Sequence, residues 1–574
     1  MLTYSISLYS WPVSLLKDIE RCIRNFIWSG DIEKRKLVTV SWKKICRPLD
    51  QGGLNIRSLI HLNRACNLKL CWTMVNSTTS WALLLKDRVF RKGKVIQHHI
   101  YSSVWSSIRD EFNVLKENTV WLVGNGDNIN FWLDSWCGDP LVDQLGIPTQ
   151  SRSLLVSKVR DFIVNGHWFV PYDLSQMFPN LLSLISHVSI PLEGTHDTLI
   201  WKHTDNGDLE LKQAYNFMLP RVQDLKWARM VWNADIPPSR SFTVWRLMHD
   251  KLPTDENLML RGCAIPSMCT FCRMQVESSF HIFFQCHFAV KLWSWLAGCL
   301  NTTLQFRSID DMWNICDSNW SPQSKITLTA AIINLLHTIW LVRNGARFND
   351  TITSWLAAIS MIINYTTLSG NNTKKLASNS MRDFTFLKKF NIQIHHPKAI
   401  SYKEVYWQPP LINWLKCNID GASCGNPGNA ACGGIFRDHD ANFVYSFAEP
   451  LGVASSYFAE MCGAMRAIEI AYNNQWTNLW LESDSSTVVS AFRNPDKPVA
   501  WSLRNRWNNV VFMTRHMNFM VSHIYREGNQ VADLLANFGL SCTSIVYWNT
   551  LPLFANDCFD KNKHGSPAFR LCNS

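Results

Sequence analysis

Leu415-Lys416-Cys417-Asn418-Ile419-Asp420-Gly421 is the stretch whose reading decides the fold. Leu415, Cys417 and Ile419 alternate onto one face of a strand, and Asp420 closes it on the other. Further on, Gly433-Gly434-Ile435-Phe436-Arg437 and Phe443-Val444-Tyr445-Ser446-Phe447 flank a polar turn from Asp438 to Asn442, which predicts a hairpin. Next, Glu460, Gly463, Ala464, Ala467, Ile468 and Ala471 repeat at helical spacing. Glu460 therefore lies on the apolar face, where a carboxylate is costly unless something positive meets it; a metal ion is the natural candidate. Glu469 falls off that stripe and reads as a solvated helix charge. A fourth strand ends in Leu481-Glu482-Ser483 at Asp484, and Asp533 opens a last helix.

Asp420, Glu460, Asp484 and Asp533 are separated by 40, 24 and 49 residues, so only the fold can bring them together. Gathered, they suit two divalent ions about 3.5–4 Å apart that activate a water and steady the leaving oxygen of a phosphodiester. Taken singly, each reads as an ordinary surface charge; the set in its local contexts points to a site.

On these residues the segment resembles a type 1 ribonuclease H domain, in the version fused to plant LINE-type (non-LTR) retroelement polyproteins. The resemblance implies an α/β fold with a mixed five-stranded sheet and flanking helices. It implies that Asp420, Glu460, Asp484 and Asp533 are the D-E-D-D ligands of two Mg²⁺ ions, with Mn²⁺ as a substitute. It implies that His523, ten residues before Asp533, assists proton transfer and product release. The activity implied is endonucleolytic hydrolysis of the RNA strand of an RNA–DNA hybrid, the hybrid being the partner. Gly425-Asn426-Pro427-Gly428 is a tight turn whose backbone can approach a strand closely. By resemblance Gly425, Asn426 and Gly428 contact ribose hydroxyls, while a plain hairpin turn accounts for them as well. By resemblance Asn529 is also a substrate-binding residue, matching a position that helps orient the groove side of the site. Arg493, Lys497, Arg504 and Arg506 either hold phosphates of the DNA strand or solvate a helix.

A second constellation is Cys269-x2-Cys272-x8-His281-x4-Cys286. Two Cys on a knuckle, then a His and a Cys at short range, can enclose one tetrahedral Zn²⁺ with no open position, which makes the ion structural. Cys263 and His287 are spare donors nearby, and buried thiols beside an ordinary histidine are the alternative. The context from Met268 to Cys286 resembles the reverse-transcriptase zinc-binding region of plant retroelements.

The rest of the chain is read more coarsely. Its 574 residues, 47% apolar and 18% charged, describe several globular domains, mostly α before the zinc region and within it. The net charge of +11 is uneven: residues 1–100 hold 17 Lys and Arg against 6 Asp and Glu, while residues 411–540 hold 9 against 11. An electrostatic grip on nucleic acid would then come from the N-terminal part, including Lys34-Arg35-Lys36 ahead of Val38 to Trp42, unless that stretch is only a soluble surface. A helical repeat from Leu15 to Ile27 stops at Trp28-Ser29-Gly30. Trp121 to Gly126 and Phe131 to Trp136 predict strand, turn and strand, with Gly124-Asn125-Gly126 too short for a phosphate loop. Trp232 and Trp245 read as core and not as base-stacking platforms.

Ser308-Ile309-Asp310-Asp311 lacks the aromatic residue of a polymerase strand, so no copying of nucleic acid is expected; a retroelement polymerase would be a partner in trans. Ile326 to Val342 is apolar but broken by Thr327, Thr329, Asn334, His337 and Thr338, which predicts a buried amphipathic helix and no membrane partner. Eighteen Cys without a basic, apolar start between Met1 and Leu16 indicate a reducing, intracellular setting. Nuclear residence is what the resemblance implies.

The expected organisation is a helical remnant after a missing palm at 1–110, a Trp-rich connecting region at 111–207 and a zinc-binding domain at 208–295. A helical connector with a flexible, Ser/Thr/Asn/Lys-rich tether follows at 296–410, then the α/β domain at 411–545, and a tail at 546–574 with no assigned role. Hydrolysis of hybrids is the leading function; a catalytically inert, retroelement-derived nucleic-acid-binding protein is the alternative.

Overall fold

The computed structural model describes residues 2–34, 39–91, 94–96, 100–220, 222–397 and 400–573. Met1 and, from the basic stretch, Arg35, Lys36 and Val38 lie outside the described residues. The chain forms two compact units, residues 1–67 with 215–399 and residues 68–214 with 400–572. The Trp-rich region therefore belongs to the same unit as the C-terminal α/β domain.

The first unit is helical. The helix Val13–Ser29 stops at Gly30, whose φ of 75° is a left-handed cap suited to glycine. The unit's longest helix, Pro322–Phe348, starts with Ser321 capping the Ser324 N–H and with Pro322 in its first turn. It is the one described helix long and apolar enough to cross a membrane, yet 83% of its most apolar window is buried within the protein. Three of its polar interruptions find partners inside: the Thr327 hydroxyl donates to the Gln323 carbonyl, the Thr329 hydroxyl to the Lys325 carbonyl, and the Asn334 amide nitrogen to Thr366. It is a core helix, as its broken apolar pattern implies. Trp245 is likewise core, fully buried with its indole N–H on the Gly52 carbonyl at 2.8 Å.

The stretch read as a tether is instead part of this packing. A helix runs Trp355–Asn372, and beyond it Thr373 and Ala377 are buried. The Gln323 amide reaches the Gly370 and Gln393 carbonyls, and the Ala377 N–H meets the His395 carbonyl. The polar side chains that suggested flexibility serve as local hydrogen-bond partners. Asp310–Asp317 is a 3₁₀ helix capped by the Asp311 carboxylate, with no polymerase strand there.

In the second unit the expected strand, turn and strand at 121–136 is half right. Thr119–Leu122 is a strand, but its ladder is antiparallel with Thr198–Trp201, and residues 131–136, which form no strand, meet it through the Trp121 N–H on the Ser135 carbonyl at 2.7 Å. Asn130 caps a turn there by accepting the N–H groups of Trp132 and Leu133. The N–H groups of Gly124, Gly126 and Asn128 all converge on the Asp197 carboxylate. That nest is filled by the protein's own anion.

The α/β domain contains β1 (Leu415–Gly425), β2 (Gly428–Arg437), β3 (Phe443–Ala454), α1 (Ser456–Asn473), β4 (Asn478–Ser483), α2 (Ser486–Arg493), α3 (Arg504–Thr514), β5 (Asn518–His523), α4 (Gln530–Gly539) and β6 (Val546–Trp548). The sheet order is β5-β4-β1-β2-β3-β6. β1, β2 and β3 form an antiparallel meander, whereas β4 and β5 run parallel to β1. The five expected strands are present, and β6 corrects the count to six. Three residues are too few to show alternation, so β6 was invisible as a pattern.

The tail is also structural. The helix Asn556–Lys563 buries Phe559 against Ile435, Val531 and Leu535, and Ala568–Asn573 pairs with Ile400–Val405. Cys417, Ile419, Leu479 and Leu481 on one face of the sheet meet Met461, Met465 and Ile468 of α1 in a closed core. Each fully buried side chain of this size contributes about 1.5–3 kcal/mol.

Candidate active site and candidate metal centre

The register places the acids. Ser483 at the end of β4 pairs with Ile419, so Asp484 emerges beside Asp420, and His523 closes β5 opposite the same Ser483. Glu460 comes from the first turns of α1, which lies on β1 because residue 421 is glycine. A Cβ on Gly421 would sit 2.3 Å from the Glu460 nitrogen. Asp533 is in the first turn of α4, which meets β2 in the same way: a Cβ on Gly433 would sit 2.5 Å from the Ala536 nitrogen. The middle of β1, the end of β4 and two close-packed helices thus converge on one spot, so Asp420 does not close its strand as the alternation suggests: β1 runs on to Gly425.

The electrostatics record that convergence. Burial, then the Asp484 and Asp533 carboxylates, push Asp420 up to about 8, against the Gly421 N–H that it accepts. Burial also raises Asp484, opposed by Arg526 and His523 and reinforced by Asp533. Burial raises Glu460 as well, with a hydrogen bond from Ser485 opposing and Asp484 reinforcing. Arg526 is the cation facing this cluster and pairs with Asp533 at 2.9 Å. Crowded acids held above their usual range are stabilised in their charged form by a cation.

The donors also fit a hard divalent ion. All are carboxylate oxygens, and Asp484 Oδ1 is buried without a hydrogen-bond partner among the described residues. The four are set wider than the ligands of a single ion. Among the described residues, only the cysteine–histidine group brings three or more candidate ligand atoms all within 4.8 Å of one another.

His523 is exposed, with Nε2 3.0 Å from the Asp484 carbonyl. A carbonyl only accepts, so Nε2 carries a hydrogen in this contact. Gly425, Asn426 and Gly428 form the β1–β2 turn, Gly425 at φ 113°, and the Asn426 amide oxygen accepts from the Ser456 N–H where α1 begins. The turn therefore flanks the helix that carries Glu460.

Asn529 requires correction. It is 2% exposed, with its amide donating to the Ile419 carbonyl and accepting from Asn418, so it braces β1 and is not open to a substrate. Glu469 and Arg506 are corrected too. Arg506 grips Glu469 at 2.7 and 2.9 Å, and Glu469 also meets Arg466 at 3.0 Å, because α3 crosses α1 and covers that face. Arg504 donates to the Asn206 carbonyl, and the Asn505 amide donates to the carbonyls of Val123 and Ser189. The start of α3 is thereby tied to the Trp-rich region.

Beneath Asp420 lies a buried polar network that strand periodicity does not reveal. Lys416 pairs with Glu482 at 2.9 Å, and Asn418 joins Glu482, Arg437 and the Trp407 indole. Its only sequence signal is charged residues within otherwise apolar strands.

In the first unit, Cys269, Cys272, His281 and Cys286 form the group just described. Cys269 Sγ and Cys286 Sγ are 3.8 Å apart, and Cys272 Sγ lies 3.4 Å from His281 Nε2. Zn–S bonds of about 2.3 Å give a tetrahedral edge near 3.8 Å, so the cluster is suited to zinc. Cys269 is pulled down to about 4 by its hydrogen bond to Cys286, whose own thiol is raised. Cys263 is exposed and outside the group.

Comparison with known proteins adds two family matches. Residues 210–293 match the model for zinc-binding in reverse transcriptase, and residues 418–539 match the reverse transcriptase-like model. A protein of Arabidopsis thaliana that bears a provisional ribonuclease H name is 26% identical over 581 residues, covering 94% of this chain and 87% of its own. Ribonuclease HI of Halobacterium salinarum is 30% identical over 139 residues, 23% of this chain and 67% of the relative. The crystal structure of the RNase H1 of that archaeon aligns at 28% identity with a TM-score of 0.21, over 22% of this chain and 96% of its own. The family matches and the two relatives indicate a ribonuclease H-like, nucleic-acid-binding protein. With a thiol–imidazole knuckle preceding a carboxylate-bearing sheet, and a family match on each, the chain belongs to the retroelement-derived proteins that join a reverse-transcriptase zinc-binding region to a ribonuclease H domain.

Proposed function

We propose that this protein hydrolyses the RNA strand of RNA–DNA hybrids at Asp420, Glu460, Asp484 and Asp533. One arrangement supports the reading: four acids distant in the chain come from adjacent strands and two helices to a spot where burial and acidic neighbours push Asp420 up to about 8 and where Asp484 Oδ1 has no hydrogen-bond partner among the described residues. Two Mg²⁺ ions bound there would activate the attacking water and stabilise the 3′ leaving oxygen. Asp420, within β1, and Asp484, just past the end of the adjacent β4, provide the strand side of the site, and the two helices provide Glu460 and Asp533. His523, exposed at the rim with Nε2 on the Asp484 carbonyl, would carry a proton to or from solvent through Nδ1. The exposed turn at Gly425, Asn426 and Gly428 offers its backbone to the ribose side of a hybrid, whose shallow minor groove displays 2′-hydroxyls.

A second reading, a nucleic-acid-binding protein without turnover, is favoured by one feature. Both oxygens of Asp533 already have partners, Arg526 at 2.9 Å and Asn537 at 3.1 Å. Cleavage of an end-labelled RNA–DNA hybrid with Mg²⁺, beside double-stranded RNA and beside Asp420→Asn, separates the two. Hybrid-specific cleavage lost in the variant supports the nuclease; binding without cleavage by the unmodified chain supports the inert reading.

A further inference from the structure

The loop between Cys272 and His281 is held by something other than its cysteines. Glu277, in the middle of that loop, is fully buried, and so are Asp255 and Arg343, at 1% and 2% exposure. Arg343, near the end of Pro322–Phe348, grips Glu277 with two nitrogens: Nη2 on Oε1, and Nε on Oε2 at 3.1 Å. Arg347, one turn further along, meets Asp255 at 2.6 Å and Glu277 at 3.3 Å. The buried Glu277, Asp255 and Arg343 and the partly exposed Arg347 offset one another in charge, which is how buried charges are tolerated. The loop backbone is fastened to the same frame. The Glu256 N–H donates to the Glu277 carbonyl, the Asp255 N–H to the Glu277 carboxylate, and the Glu277 N–H to Ser267. The Ser278 hydroxyl accepts the His281 N–H. His281 itself offers no such anchor, because its Nδ1 is buried without a partner among the described residues.

We propose that Glu277, clamped by Arg343, is a positioning residue for the zinc centre, setting the loop that delivers His281 beside Cys272. A helix that supplies no ligand thereby controls the affinity of the site. The geometry follows from fork-to-carboxylate pairing, which fixes orientation as well as charge. The inference rests on Cys269, Cys272, His281 and Cys286 binding zinc.

The test is competition for Zn²⁺ between a chromophoric chelator and the full chain, with Co²⁺ substitution reporting ligand geometry. Glu277→Gln is expected to weaken zinc binding about tenfold to a hundredfold, the range for partners that orient metal ligands, and to alter the cobalt spectrum. Arg343→Lys keeps the charge, loses the fork and is expected to do the same; it carries the criterion alone if Glu277→Gln does not fold. Ile332→Ala, about 16 Å away along the same helix, destabilises the unit without touching the loop and serves as the control. The proposal is overturned if the folded loop variants bind zinc within twofold of the unmodified chain, or if Ile332→Ala weakens zinc as much. An unmodified chain that binds no zinc overturns the zinc reading beneath it.

Discussion

Asp420→Asn tests the carboxylate site without a substrate. Folding raises the Asp420 pKa to about 8, from about 3.9 in an unfolded chain. A carboxyl raised in this way stabilises the fold while protonated, fully below about pH 4, and that contribution is lost as pH rises towards 8. Four units at about 1.4 kcal/mol each set an upper bound near 6 kcal/mol. Asp420, Asp484 and Asp533 lose their protons as one interacting set, so Asp420 alone accounts for part of this and we expect about 2 kcal/mol. Replacing the acid with the uncharged amide should therefore stabilise metal-free protein at pH 8, raising the melting temperature of the α/β unit by about 4–8 °C. The gain should vanish near pH 4. Mg²⁺ should raise the melting temperature of the unmodified chain at pH 8 and do far less for the variant, since a ligand stabilises only the state that binds it. Thermal unfolding from pH 4 to 8, in chelator and in Mg²⁺, measures all of this. A variant no more stable than the parent at pH 8 in chelator, or equal Mg²⁺ stabilisation of both, would refute the reasoning.

Other expectations follow from the same geometry. His523→Ala should lower hybrid turnover about 10²-fold or more while leaving hybrid binding unchanged, measured by single-turnover cleavage and by anisotropy. Asn529→Ala should destabilise the domain by about 1–3 kcal/mol in urea unfolding, because it strands the Ile419 carbonyl and Asn418 in the interior. Leu481→Ala, emptying a fully buried position between β4 and α1, should cost about 2–5 kcal/mol in the same assay. Metal analysis of untagged protein should find about one zinc per chain, and Cys286→Ser should lower that content.

What the linear sequence determined here is what local chemistry determines. Alternation fixed β1 and put Asp420 opposite Ile419; helical spacing put Glu460 on the buried face of α1; the spacing of Cys269, Cys272, His281 and Cys286 named one metal group. Each needs only neighbours in the chain, so each was legible in advance. Tertiary packing decided the rest. Gly421 and Gly433 matter because helices from distant segments press on them, and Asn529 is a brace because β1 lies beneath it. Arg506 is an internal partner of Glu469 because α3 crosses α1, and Glu277 is clamped because Arg343, 66 residues away, meets it. Three-residue β6 and the polar run after Asn372 carry no pattern strong enough to announce their places, for their order comes from contacts that form only when the whole chain is compact.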